Sequence, residues 1–527
     1  MKGISLMKFR KVGKKKMTKT VKRIIGMFLI VTVIIGVVGF QNKNNAVSAN
    51  SGTANTVNTT AIGNTKTPKY IFLFIGDGMS YPQIQITSDY LGAMKQSKNS
   101  KVLIGNEALN FMNFEAAGSA VTYDSSSFCP DSASTATSLS TGYKTYSGVI
   151  NMNEEKTIAY ETITEKLKKQ LGYKIGIISS VNLNHATPAA FYGHQASRGN
   201  YYELALELVN SNFDYFAGGE FLKPDGEKGN IYDLAYKAGY KVVTTNTGVK
   251  NLKASDGKAI VIGEKIADSG SLSYEIDRKT NELALSDYVK KGIEVLDNET
   301  GFFMMVEGGK IDWACHANDA GSTIQDTVAL ADAVDEAIAF YEEHKDETLI
   351  IVTGDHETGG LTIGFAGTNY DTFLTNLDNQ KISYAKYDSD YVSKYKEEKT
   401  SFADVLKDVK KLFGLITKED TDAAKSPKLV LTDYELKRLE AAYNKTMGKT
   451  TSNVSDQEEY VLYGTYEPLT VTITHILNNK SGVNFSSYAH TGLPVAVLAN
   501  GAGAELFNGY YDNTEIYKKL ATLTGVK

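Results

Sequence analysis

Five short apolar runs constrain this chain more than any other feature. They are "YIFLFI" (Tyr70–Ile75), "KIGIIS" (Lys174–Ser179), "FFMMV" (Phe302–Val306), "TLIIVT" (Thr348–Thr353) and "VAVLA" (Val495–Ala499). Each has the length and β-branched or aromatic content of a strand, and helical patterns fill the intervals between them. One such helix reads through "DTVALADAVDEAIAFYEEH", where Val328, Ala331, Val334, Ile338 and Tyr341 make an apolar face. Strands alternating with helices predict an α/β fold of three layers, with a large, mostly parallel central sheet between helices. With 42% hydrophobic residues in 527, the chain is long enough for one large domain or two.

The first 49 residues differ from the rest of the chain. Residues 2–23 carry ten Lys or Arg, and the uncharged run "IIGMFLIVTVIIGVVGF" follows from Ile24 to Phe40. After a polar spacer, Val47 and Ala49 stand where a signal peptidase needs small residues. The order is that of a secretory signal over residues 1–49, cleaved after Ala49, so the protein is expected to be secreted or attached to the cell envelope. An uncleaved membrane anchor is the rival, but seventeen apolar residues only just reach the length of a span. Residues 50–67, rich in Ser, Thr, Asn and Gly, read as a flexible linker. The catalytic domain is expected over 68–527. Within it, residues from about 364 to 488 are rich in Tyr and Lys. Amphipathic helices such as "FADVLKDVKKLFGLI" and "LTDYELKRLEAAYNKTM" stand there, and the region reads as an insertion on the sheet. Its apolar faces (Phe402, Val405, Leu406, Val409 and Leu412; Leu436, Leu439 and Tyr443) need a partner surface. No internal repeat is visible.

Charge excludes one class of partner. The first 49 residues hold eleven basic and no acidic residues, so their removal takes the formal net charge from −5 to −16. A chain that acidic lacks the basic surface nucleic acid requires, and it must attract any anionic substrate locally, with metal ions or an arginine. The two cysteines, Cys129 and Cys315, leave a disulfide and two free buried thiols equally open.

The polar residues fall in a pattern. "FIGDG" puts Asp77 just past one strand, "VEGGKIDWACH" puts Glu307 past another, and "VTGDHETGG" puts Asp355 and His356 past a third. Asp312 and His316 follow Glu307 at helical i, i+4 spacing. In open α/β sheets, ligands and catalytic groups gather beyond the carboxyl ends of strands. Five of the seven histidines (His185, His194, His316, His356 and His490) lie in Gly-, Ser- or Thr-rich segments of this kind. Asp and His together suit zinc or manganese, and several carboxylates favour a bridged cluster. In "FCPDSASTATSLSTGYKT", Ser132 opens a small-residue helix. By itself that segment fits a packing helix as well as a nucleophile.

Taken in order, "FIGDGMS", "PDSASTATSLSTGYKT", "HATPAAFYGHQASR", "VEGGKIDWACHAND", "TGDHETGG" and "HTGLPV" resemble the motifs of the alkaline phosphatase family, from about Tyr70 to the C-terminus. The inserted region is outside that resemblance. The resemblance implies a phosphate monoester hydrolase with two zinc ions and one magnesium ion per subunit. Asp312, His316 and His490 would hold the first zinc, and Asp77, Asp355 and His356 the second. Asp77 would also bridge to magnesium, completed by Thr187 and Glu307. Ser132 would be the nucleophile, forming a phosphoserine, and Arg198 would grip the phosphate with a two-pronged hydrogen bond that lysine cannot copy. Substrates would be small phosphomonoesters, inorganic phosphate the product, and phosphate scavenging the purpose; a homodimer is left open.

Two positions depart from the pattern. The best-known bacterial member has an aspartate where this chain has His185 and a lysine where it has Trp313. Both stand near the third site and the phosphate, where His185 bears on which ion the third site prefers and Trp313 on how the phosphate is held. His194, His344 and His475 fit structural roles. The competing readings are a related phosphodiesterase or phosphomutase with two manganese ions, and an inactive surface binder of phosphate or metal. The intact Ser132, Arg198 and third-site trio favour the monoesterase.

Overall fold

The computed structural model describes residues 67–96, 103, 105–449 and 455–527. The expected secretory leader (1–49) and all but the last residue of the expected linker (50–67) lie outside the described residues. Among the described residues, ten strands form the central sheet. They are β1 (Tyr70–Gly76), β2 (Ala116–Val121), β3 (Lys174–Asn182), β4 (Tyr215–Gly219), β5 (Lys241–Val243), β6 (Ala259–Ile262), β7 (Phe302–Gly308), β8 (Thr348–Gly354), β9 (Val495–Gly501) and β10 (Gly509–Asp512). Their spatial order is β10-β2-β9-β8-β1-β7-β3-β4-β6-β5. All pairings are parallel except those of β9, which runs antiparallel to both neighbours.

The apolar runs are unbroken because both sheet faces are covered. Successive side chains point to opposite faces, so Tyr70, Phe72 and Phe74 of β1 enter one core while Ile71, Leu73 and Ile75 enter the other. Over the first face lie α1 (Tyr81–Lys95), α4 (Leu285–Leu296) and α6 (Ala320–Glu343). Over the second lie α2 (Ser132–Thr141), α3 (Tyr201–Asn210) and α10 (Thr514–Thr524). This is the expected three-layer arrangement. Five strands escape the sequence reading because they are short, small or edge elements: "AAGSAV", "YFAGG", "KVV", "AIVI" and "GYYD" carry too little apolar run to stand out.

The direction of the strands decides where the polar residues meet. In the β1–β8 and β1–β7 pairs, Ile75 stands level with Thr353 and Glu307, so Asp77 and Asp355 emerge side by side just beyond. Strand β9 enters from the same edge, because Val497 pairs with Thr353 and Gly501 with Leu349. His490 therefore reaches that edge by preceding its strand, whereas the others follow theirs. The turn after β1 is tight. Gly78 has φ +71°, and a Cβ there would come within 2.9 Å of the Asp312 Cα, so the turn can lie against the helix that carries Asp312, α5 (Lys310–His316), only with glycine.

The α6 face differs from the expected one. Ala331 and Val334 are buried, but Val328, Ile338 and Tyr341 are only half-buried, and Leu330, Ala333 and Ala337 take the deepest positions. The helix packs against both the sheet and segment 364–488, which rotates its buried stripe and widens it. That segment folds as helices, including α7 (Phe402–Phe413), α8 (Asp433–Thr446) and α9 (Pro468–Ser481). Val405, Val409, Leu412, Leu439 and Tyr443 are buried in the core over the first sheet face. Each such side chain contributes roughly 1.5–3 kcal/mol. Of the cysteines, Cys315 is a buried thiol and Cys129 is exposed, and both are free.

Candidate active site at the strand ends

Ser132 is the first residue of α2, and the helix is small-residued because all ten of its side chains are buried. Asp131 caps it by accepting the Ser134 N–H, so its N-terminus is fixed rather than frayed. The Ser132 Oγ lies 3.2 Å from the His356 Nε2. Around it the structure assembles three groups, each with ligand atoms within 4.8 Å of one another: Asp312, His316 and His490; Asp77, Asp355 and His356; and Asp77, His185 and Glu307. Thr187 donates to the Asp77 Oδ2 at 3.2 Å, which brings it beside the third group.

The histidines are held in one tautomer. His316 Nδ1 faces the backbone carbonyl of Tyr488 at 2.6 Å, and His490 Nδ1 faces that of Pro130. A carbonyl can only accept, so both Nδ1 atoms carry the hydrogen and both Nε2 atoms turn a lone pair inward. His356 follows the same logic through a hydroxyl. Thr358 Oγ1 donates to the Asp312 Oδ1 at 2.6 Å, so it accepts from His356 Nδ1 at 3.2 Å. Three inward Nε2 atoms, each braced from behind, are the donor arrangement of a histidine metal site. Thr358, Asp131 and the two carbonyls are the partners that the sequence reading missed. Thr358 stands two residues after His356, but nothing in a sequence marks a backbone carbonyl.

The electrostatics ask for cations. Asp77, Glu307, Asp312 and Asp355 are all buried. Burial, followed by the neighbouring charges of Asp355, Asp312 and Glu307, pushes the Asp77 carboxyl well above the usual range. Burial and Asp312 raise Asp355 to about 8, and burial raises Glu307 to about 7. Burial also holds His356 and His490 neutral. Asp77 Oδ1 and Glu307 Oε1 are buried without a hydrogen-bond partner. Such orphaned oxygens beside lone-pair nitrogens fit divalent metal ions: carboxylate and hydroxyl oxygens suit magnesium, and mixed Asp/His sets suit zinc.

Arg198 stands at the mouth of this cluster. Its NH1 donates to the Asp131 Oδ2 at 3.0 Å and its NH2 to the His185 Nε2 at 3.1 Å. Each terminal nitrogen keeps one further N–H to offer. His185, its Nε2 so engaged, is held neutral with its pKa lowered to about 3 by burial and Arg198. Trp313 packs edge-on to the His185 ring at 5.9 Å, half-buried, with the Lys310 Nζ 4.7 Å from its own ring. All twelve residues singled out in the sequence meet at this one edge. His194 and His344 do not: His194 bonds the Tyr160 carbonyl, and His344 stacks on Phe340.

An open α/β sheet bearing a serine, an arginine and clustered Asp/His groups at its strand ends defines a class of metal-dependent hydrolases of phosphate esters. The model of the alkaline phosphatase family matches residues 68–215 and 222–526. Alkaline phosphatase 4 of Bacillus subtilis is 30% identical over 86% of this chain and 88% of its own length. Alkaline phosphatase 3 of the same organism is 31% identical over 87% of this chain and 89% of its own. The solved structure of a cold-active alkaline phosphatase from Shewanella sp. superposes with a TM-score of 0.69 and 26% identity, over 86% of this chain and 99% of that one. The chain belongs to the alkaline phosphatase family. It is a phosphate monoester hydrolase of a metal-dependent kind.

Proposed function

We propose that the chain hydrolyses small phosphate monoesters through a phosphoserine on Ser132, exported from the cell to release phosphate for uptake. Asp312, His316 and His490 would hold one zinc ion, Asp77, Asp355 and His356 a second, and Asp77, Thr187 and Glu307 a magnesium ion. Bound there, the ions supply Lewis-acid stabilisation to the attacking and leaving oxygens. The observation that carries the reading is Ser132 Oγ, fixed at a helix start 3.2 Å from the His356 Nε2 beside orphaned carboxylate oxygens.

The chain's own residues do the rest. Arg198, steadied by Asp131, gives its two free N–H groups to non-bridging phosphate oxygens and orients the phosphorus toward Ser132. Ser132 passes its proton to solvent water, which returns one to the departing alcohol, as Oγ bonds to phosphorus, helped by the partial positive charge of the α2 N-terminus. The bond from phosphorus to the alcohol oxygen breaks, and the alcohol leaves with a proton. Water then attacks the phosphoserine and restores the hydroxyl, releasing inorganic phosphate. Trp313 offers no charge to phosphate, which favours release of the product. Residues 364–488, rooted between His356 and His490, would form a cap beside the entrance and narrow access for bulky esters.

Metal analysis of the purified protein, together with rates on a mono- and a diester of the same alcohol, tests this reading. The expected result is zinc and magnesium in the protein and a strong monoester preference, with a phosphoserine trapped at Ser132 after acid quench. A manganese enzyme that prefers the diester would overturn it.

A further inference from the structure

His475 stands on α9 of the inserted segment, 15 residues before His490, and its ring reaches the side chain of Asn318 in the turn that follows His316. Its Nε2 lies 2.9 Å from the Asn318 Oδ1. Asn318 spends its amide hydrogens on two carbonyls, those of Cys315 and Ser487, at 2.9 Å each. Its Oδ1 therefore accepts, and His475 Nε2 donates. Three residues along the same helix, the Asn478 Nδ2 donates to the Asn318 carbonyl at 2.8 Å. Asn318 is buried and holds φ +51°, a backbone conformation rare outside glycine, which asparagine tolerates. The turn after His316 thus exists in this shape because α9 holds Asn318 by side chain and carbonyl together.

The same bonds reach the other ligand. Asn318 ties down Ser487, the next residue's carbonyl takes the His316 Nδ1 hydrogen, and Ala489 O accepts from the Gly359 N–H at 3.0 Å, one residue before His490. The Tyr488 ring lies against that of His475 at 5.9 Å. The two Nε2 atoms so placed stand 3.1 Å apart.

We propose that His475, with Asn478 behind it, is a positioning residue for the Asp312–His316–His490 metal site. Helix α9 sets the aim of His316 through Asn318 and the Tyr488 carbonyl, so the inserted segment builds half of that site's support as well as flanking it. This rests on the metal-site reading above. It makes no use of the ionisation of His475, only of its N–H.

Metal-free protein is titrated with zinc against a chromogenic chelator, and its thermal midpoint is followed in parallel. Wild type, His475→Leu, His475→Gln, Asn478→Ala and His316→Ala are compared. The expected result for His475→Leu is an approximately 10–100-fold loss of zinc affinity at the one site that His316→Ala abolishes, with the other affinities unchanged. Glutamine keeps a donor at the same reach and should restore affinity to near the wild-type value. Asn478→Ala should weaken the same site, which keeps the test open if His475→Leu fails to fold. Unchanged affinity in a folded leucine variant, or an equal loss at every site, overturns the proposal. A wild-type protein with no site sensitive to His316→Ala would instead overturn the metal assignment itself.

Discussion

Two buried polar clusters lie within one helical turn of each other, and only one of them is closed. Lys310, fully buried, donates to the Asp268 Oδ1 at 2.8 Å and the Ser271 Oγ at 2.7 Å, and sits 3.7 Å from the centre of the Tyr274 ring. Its charge is matched, and two of its three donors are hydrogen-bonded while the ammonium faces an aromatic ring. Two residues on, Asp312 opens a cluster with the opposite character: four buried carboxylates, inward imidazole lone pairs, and oxygens of Asp77 and Glu307 with no partner. A closed cluster holds a fold in place, because breaking it strands a charge. An open one costs stability in the bare protein and acts only when a cation completes it.

The contrast breaks most sharply at Ser132. Ser132→Ala should lower kcat by roughly 10³-fold or more while leaving zinc content and thermal midpoint unchanged, because nucleophile and ligands are separate groups. Turnover within tenfold of the parent in the alanine protein would remove the covalent step.

Lys310→Met tests the closed cluster. Asp268 is about a third exposed and regains water when its partner is removed, so the expected loss is about 1–3 kcal/mol, read by urea or thermal unfolding. Zinc affinity in the folded fraction should change far less than it does in His490→Ala. A stability loss below about 1 kcal/mol would mean that Asp268 finds another partner.

The open cluster should reverse its pH dependence with metal. In the metal-free protein, Glu307 and Asp355 have folded pKa values of about 7 and about 8, above their ordinary values near 4.5 and 3.8. The folded state then binds more protons than the unfolded one, so the contribution present at low pH is lost as pH rises through 7 and 8. Metal uptake requires those protons to leave, so zinc and magnesium affinity should rise over the same window. Calorimetry of metal-free and loaded protein from pH 5 to 9 should give slopes of opposite sign. Parallel slopes would mean that the carboxylates are already ionised without metal.

The smallest expected effect lies in segment 364–488. Burial raises Asp388 to about 7, against the hydrogen bond from Thr470. Asp388→Asn keeps an acceptor for Thr470 and should stabilise the metal-free protein by roughly 2 kcal/mol more at pH 8 than at pH 5. A gain of equal size at both pH values would deny the titration.

The sequence by itself was enough for the central strands and for the residues that meet at their ends. An unbroken apolar run that ends in Gly-Asp or Glu-Gly is legible because a doubly covered strand tolerates no polar residue until it leaves the sheet. The ten-strand order, the antiparallel entry of β9 that delivers His490 before its strand rather than after, and the rotated face of α6 were decided only by packing. So was the support behind the donors. The Pro130 and Tyr488 carbonyls that set the histidine tautomers, and the reach of His475 to Asn318, are backbone and long-range contacts. Residue type and spacing encode which atoms can bind a metal, but the direction in which a lone pair points is set by the acceptor behind the ring, and only the folded chain puts that acceptor there.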